Sequence, residues 1–167
     1  MTIRPILPPE IWAKARELQG KPPDERGRER VIAKSIRRYF EIADFLPRPL
    51  TAIADIGCGL GLVDVIIAHE LKPKIIYLID GEGLGAWKNR YGPAGKPWFD
   101  VKLAADIMDA NDMGGLVQTR IVDETGVIDL PMDGHGDAVI SLKSWGHHYP
   151  LEAYEPFARS WLRVGGR

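Results

Sequence analysis

The 167-residue chain is short of cysteine, of net charge and of long apolar runs, and each shortage excludes something. A lone cysteine, Cys58, closes no intramolecular disulfide, so a packed core and not covalent staples must hold the fold. The N-terminus carries prolines where a secretory signal would carry an apolar stretch, and with the single cysteine this leads us to expect a cytoplasmic protein. Basic residues number 22 and acidic residues 23, a formal charge of -1, which gives no sequence-independent hold on a polyanion and disfavours nucleic acid as a partner. No stretch approaches the ~20 apolar residues of a membrane span, so no membrane partner is expected. Four histidines and one cysteine, with only His147 and His148 adjacent, lack the spacing of a metal-ligand set.

What is present suffices for one core: 45% of the residues are hydrophobic, at a length typical of a single domain. Pro8, Pro9 and Glu10 open a helix whose Ile11, Trp12, Ala15 and Leu18 share a face, and Gly20, Pro22 and Pro23 end it. Asp24 reads as the N-cap of a second helix reaching about Phe45, with Ile32, Ile36, Tyr39, Phe40 and Ala43 at helical spacing. Its arginines alternate with Glu25, Glu29 and Glu41, the signature of a solvated face of mixed charge. Pro47 and Pro49 break the pattern, so residues 1–48 form a helical extension and 49–167 the main domain.

From residue 51, β-prone runs alternate with helical ones. Strands are expected at 51–56, 74–80, 117–123 and 137–143. Helices are expected with Val63, Ile66, Ile67 and Leu71, over about 101–113 with Leu103 and Ile107 inward, and after Pro150 with Tyr154, Phe157, Ala158, Trp161 and Leu162. Such alternation implies an α/β fold whose parallel sheet is covered on both faces.

The stretch A-D-I-G-C-G-L-G-L, residues 54 to 62, joins the first strand to the helix after it and spends three glycines at alternate positions. Glycines there permit positive φ and let a ligand approach the main chain with no Cβ in the way, while free N–H groups at the helix start can receive an anionic group. A dinucleotide turn, G-x-G-x-x-G, would need glycine at 62, which is Leu62. Asp80 closes the second strand about twenty residues on, where a carboxylate can accept both hydroxyls of a ribose.

D-I-G-C-G-L-G with Asp80 closing the next strand resembles motifs I and II of the class I S-adenosylmethionine-dependent methyltransferases, over about residues 54 to 167. The resemblance implies a Rossmann-like, doubly wound, mainly parallel sheet and S-adenosylmethionine as cofactor. It places Asp55, Gly57, Cys58, Gly59 and Gly61 in the loop against the methionyl portion, Asp80 at the ribose and Asp123 at the adenine edge, with Glu124 and Asp129 competing for that last role. Cys58 reads as a small turn residue and not a nucleophile, since its neighbours offer no base.

L-K-S-W-G-H-H-Y-P, 142 to 150, follows the fourth strand and should face the cofactor's methyl group. It holds Ser144, Trp145, His147, His148 and Tyr149; His148 or His147 is the candidate base for the proton shed by an oxygen or nitrogen acceptor, the alternative being that Trp145 and Tyr149 wall the pocket and the histidines are surface residues. The N/D-P-P-Y/F and Pro-Cys signatures of nucleic-acid methyltransferases are missing, so a small-molecule acceptor, with sugars among the candidates, is the expectation. The family's sheet has seven strands, and R-V-G-G-R at 163–167 resembles the turn into the fifth. An incomplete domain, truncated after the fourth strand and its helix, would leave that strand as an edge inviting a homo-oligomer or a partner chain. The competing function is then a non-catalytic methyltransferase-like subunit or remnant serving as an interaction module; a nicotinamide-dependent oxidoreductase is disfavoured by the glycine register.

Overall fold

The computed structural model describes residues 3–81, 100–122, 128, 130, 134–145 and 151–167. Two helices, α1 (Pro9–Leu18) and α2 (Glu25–Ile42), precede the alternation β1 (Ala52–Ile56), α3 (Leu62–Leu71), β2 (Ile75–Gly81), α4 (Val101–Ala110), β3 (Val117–Val122), β4 (Ala138–Ile140) and α5 (Leu151–Trp161). The four strands form one parallel sheet in the order β3-β2-β1-β4. The chain therefore moves outward from β1 through β2 to β3 and returns to the other side of β1. That reversal opens a crevice at the carboxyl ends of β1 and β4, the place where doubly wound sheets bind ligands.

Both faces of β1 are covered, which is why all five of its residues are buried. Ile53 points into the larger core, with Val65, Ile66, Leu78, Ala104 and Ile107. Ala52, Ala54 and Ile56 point the other way, to Tyr77, Ile79, Tyr154 and Trp161. Trp161 meets Tyr77 edge-on at 5.7 Å and stacks on Phe157 at 5.8 Å. A Cβ on Gly136 would fall 2.2 Å from the Trp161 ring, so the indole lies directly on the main chain leading into β4.

The N-terminal helices share the larger core: Leu7, Ile11, Trp12, Ala15, Ile32 and Tyr39 are buried in it. Asp24 caps α2, accepting from the Gly27 N–H at 2.5 Å, and its carbonyl accepts from Trp12 Nε1 at 2.9 Å. Asn111, at the end of α4, exchanges hydrogen bonds with the Ile6 backbone, donating to its carbonyl at 2.8 Å and accepting from its N–H at 2.7 Å.

Several expected boundaries shift. Helix α2 ends at Ile42, and Phe40 is exposed because the apolar stripe facing α3 runs through Ile32, Ile36 and Tyr39. Strand β4 pairs over three residues instead of seven; beyond Ile140 the chain turns, and the Ser141 hydroxyl donates to the Ile56 carbonyl at 2.7 Å. Its outer edge is partly covered by the chain itself, since Arg167 N–H donates to the Asp137 carbonyl at 3.0 Å and Val139 N–H to the Arg167 carbonyl at 2.8 Å.

Asp137 ties the bottoms of β1 and β4 together. Its buried carboxylate accepts from the Thr51 and Ala52 N–H groups and from Arg163 Nε at 2.7 Å. Removing the acceptor leaves two main-chain donors unsatisfied, whereas removing half-exposed Arg163 deletes only a solvated partner. Asp137→Ala should therefore cost about 2–4 kcal/mol in urea denaturation and Arg163→Ala under about 1 kcal/mol; equal costs would refute this division.

Candidate functional site

The turn from β1 into α3 bends through three left-handed glycines, Gly57, Gly59 and Gly61, with φ of +75, +60 and +63°. Alanine in that region costs roughly 1–2 kcal/mol per residue. Gly57 has a second constraint: a Cβ there would lie 1.7 Å from Ser144 Oγ. At Gly61, which caps α3, a Cβ would press on Ala104 at 3.2 Å.

Four amides of this turn, those of Gly57, Cys58, Gly59 and Gly61, are paired within the protein. Gly57 and Cys58 N–H both donate to the Ile79 carbonyl, at 2.7 and 3.2 Å, and Gly61 N–H to the Cys58 carbonyl at 3.0 Å. The register Ile56↔Ile79 explains it, because β2 extends two residues past the end of β1 and its Ile79 carbonyl meets the first amides to leave that strand. Gly59 N–H donates to Asp80 Oδ2 at 3.0 Å. Asp80 is thus fixed at the rim of the turn, half-buried, at the carboxyl end of β2.

Behind the turn lies a pair of carboxyl groups. Asp55 on β1 and Asp64 in the first turn of α3 are almost fully buried, within hydrogen-bonding reach of each other. Taken as two carboxylates, Asp55 Oδ1 and both Asp64 oxygens have no donor; an acid–carboxylate pair lets each group serve the other. Burial, then the charge and hydrogen bond of Asp64, hold Asp55 well above the usual range, so it keeps the proton. Burial pushes Asp64 up to about 7, opposed by its pairing with Asp55. Burial, then the negative charge of Asp80 and that of the proton-sharing Asp55–Asp64 pair, pushes the Cys58 thiol up, which removes it as a thiolate nucleophile.

The segment after β4 closes the crevice from the other side. Ser141 accepts from Trp145 N–H at 2.9 Å while holding the Ile56 carbonyl, Ser144 is buried over Gly57, and Trp145 meets Tyr154 edge-on at 6.3 Å. The fold thereby brings together Asp55, Gly57, Cys58, Gly59, Gly61 and Asp80. Asp123, His147 and His148 lie outside the described residues, as do Glu124, Asp129 and Tyr149. Sequence reasoning passed over Asp64 and Ser141, although an aspartate inside L-V-D-V-I-I-A, an otherwise apolar helix, was a legible signal. Among the described residues, no group of three or more His, Cys, Asp or Glu is placed to hold a metal ion.

Solved structures with this architecture include geranyl diphosphate C-methyltransferase from Streptomyces coelicolor A3(2), in complex with Mg2+, geranyl diphosphate and S-adenosyl-L-homocysteine. It is similar at a TM-score of 0.58 and 18% identity over 90% of this chain and 52% of that one. The O-methyltransferase TomG from Streptomyces achromogenes, in complex with SAM, matches at a TM-score of 0.53 and 16% identity, over 95% and 63% of the two chains. M. jannaschii TYW2, in complex with AdoMet, matches at 0.50 and 17%, over 77% and 48%. This chain has the Rossmann-like fold of S-adenosylmethionine-dependent methyltransferases. It spans about half to two thirds of the length of these three structures. No family model matches it, and no curated protein matches it in sequence.

The carboxyl pair makes stability depend on pH. Asp64 titrates near 7 in the folded chain against about 3.9 unfolded, so between those values the folded state binds more protons. Its contribution is complete below about pH 4 and is lost as pH rises through 7. Asp64→Asn keeps a neutral side chain there, and its melting temperature should exceed that of the wild type at about pH 8 and decline less from about pH 5 upward. Parallel pH profiles in thermal denaturation would show that the pair does not titrate in this window.

Proposed function

We propose that the crevice binds S-adenosylmethionine and that the chain serves methyl transfer to an oxygen or nitrogen of a small-molecule acceptor, sugars being candidates. The observation that carries this reading is the juxtaposition of three left-handed glycines at alternate positions with the Asp80 carboxylate, at the switch point of a 3-2-1-4 parallel sheet. The residues present fit the group. The turn offers main chain without Cβ atoms, Asp80 stands at its rim, and the protonated Asp55 adds no full charge beneath an amino-acid carboxylate. The solved neighbours methylate carbon in one case and oxygen in another, by their names, so the preference for oxygen or nitrogen rests on the neighbouring loop and not on the fold.

When bound, S-adenosylmethionine supplies an electrophilic methyl group on a sulfonium. In this reading Gly57, Cys58, Gly59 and Gly61 give the methionyl portion a close main-chain surface. Asp80 takes the ribose hydroxyls, Asp123 borders the adenine, and Ser141 and Ser144 keep the 141–145 segment clamped over the turn. His147 or His148 receives the proton released by the acceptor.

Calorimetry with S-adenosylhomocysteine should show one-site binding and none with NAD. Asp80→Ala should weaken that binding at least about tenfold, since a hydrogen bond to a charged group is worth about 1.5–3 kcal/mol. A wild-type titration without heat or saturation would sink the reading. Once an acceptor is known, alanine at the histidine that acts as base should lower turnover about 10²–10⁴-fold with cofactor affinity unchanged; full turnover in both His147→Ala and His148→Ala would remove the base from the mechanism.

A further inference from the structure

The segment after β4 is fastened to the end of β1 at two points. The Ser141 hydroxyl donates to the Ile56 carbonyl at 2.7 Å and accepts from the Trp145 N–H at 2.9 Å, so one side chain ties Trp145 to the last residue of β1. Ser144 supplies the second point, since a Cβ on Gly57 would lie 2.2 Å from its Cβ and 3.5 Å from its Cα. Trp145 follows by one Cα–Cα step of about 3.8 Å. Its main chain is therefore fixed beside the first glycine of the turn, and its ring is steadied by Tyr154, edge-on at 6.3 Å.

The indole is nevertheless left half-exposed. Trp12 and Trp161, which serve the two cores, are 5% and 2% exposed. A tryptophan needed only for packing would be buried as these are, and one merely tolerated at the surface would not be held by main chain and ring together. Trp145 stands at the carboxyl ends of β1 and β4, where a doubly wound sheet takes its ligand. An aromatic face attracts a cation lying within about 6 Å of its centroid, and tryptophan does so most strongly. It offers no carboxylate or thiolate lone pair that could itself take up a methyl group from a sulfonium.

We infer that Trp145 reads the charge on the cofactor's sulfur: its ring favours S-adenosylmethionine, a sulfonium cation, over S-adenosylhomocysteine, the neutral thioether left after transfer. This rests on the proposed function, which puts the cofactor in the crevice. The consequence is a bias in exchange. Loss of the methyl group removes the attraction to the indole, so spent cofactor is held less tightly than fresh.

Calorimetry of the full chain with S-adenosylmethionine and with S-adenosylhomocysteine gives the ratio of the two dissociation constants. Trp145→Leu should lower the preference for the sulfonium about fivefold and Trp145→Phe about twofold, with S-adenosylhomocysteine affinity within about twofold of the wild type in both. Leucine and phenylalanine both fill apolar space, so the ring face is what separates them. Equal weakening of both ligands, an unchanged preference, or a loss in Trp145→Phe as large as in Trp145→Leu would overturn the inference. Should thermal denaturation show Trp145→Leu unfolded, Trp145→Phe decides alone, and a preference equal to that of the wild type overturns it. A wild type that binds neither ligand ends the cofactor reading and this inference with it. Binding of both, with the preference intact in the variants, leaves the proposed function standing and removes only the role of Trp145.

Discussion

The carboxyl end of β2 holds the turn that leaves β1, and the rest of the site is arranged around that support. Ile79 offers one carbonyl to two successive amides, and the next residue, Asp80, offers its carboxylate to a third. A main chain in the left-handed region at three alternate positions would otherwise leave these half-buried donors without a partner in the protein. The pairing depends only on β2 outrunning β1 in the parallel register, so strand pairing and turn shape are one problem with one solution.

Glycine serves two purposes in this turn. Positive φ explains Gly57, Gly59 and Gly61 equally, but Gly57 and Gly61 are also demanded by neighbours, Ser144 and Ala104. Gly59 alone carries the hydrogen bond to Asp80. Beneath them the buried pair Asp55 and Asp64 supplies polarity without two full charges, which a site of such low exposure tolerates only by sharing a proton.

Much of the architecture was legible in the residues. Strands β1, β2 and β3, the caps at Asp24 and Gly61, and the inward faces of α3 and α4 follow from apolar periodicity and turn chemistry, both local properties. Strand β4 was overestimated because D-A-V-I-S-L carries β-prone residues, while its serine, just past Ile140, turns away to hold the Ile56 carbonyl, a partner 85 residues distant. Phe40 fits the helical stripe by spacing yet faces solvent, since spacing names a face but not how wide a strip of it α3 covers.

By itself the sequence determined the α/β alternation, the glycine turn and the acid that closes the following strand, because each depends on the backbone preferences of neighbouring residues. Only the tertiary structure decided which partners the turn's amides take and that Asp55 and Asp64 share a buried site. Those outcomes depend on register between strands and on helices docked from distant segments. Neither the choice of hydrogen-bond partner nor desolvation has a signature in the spacing of residues along one chain.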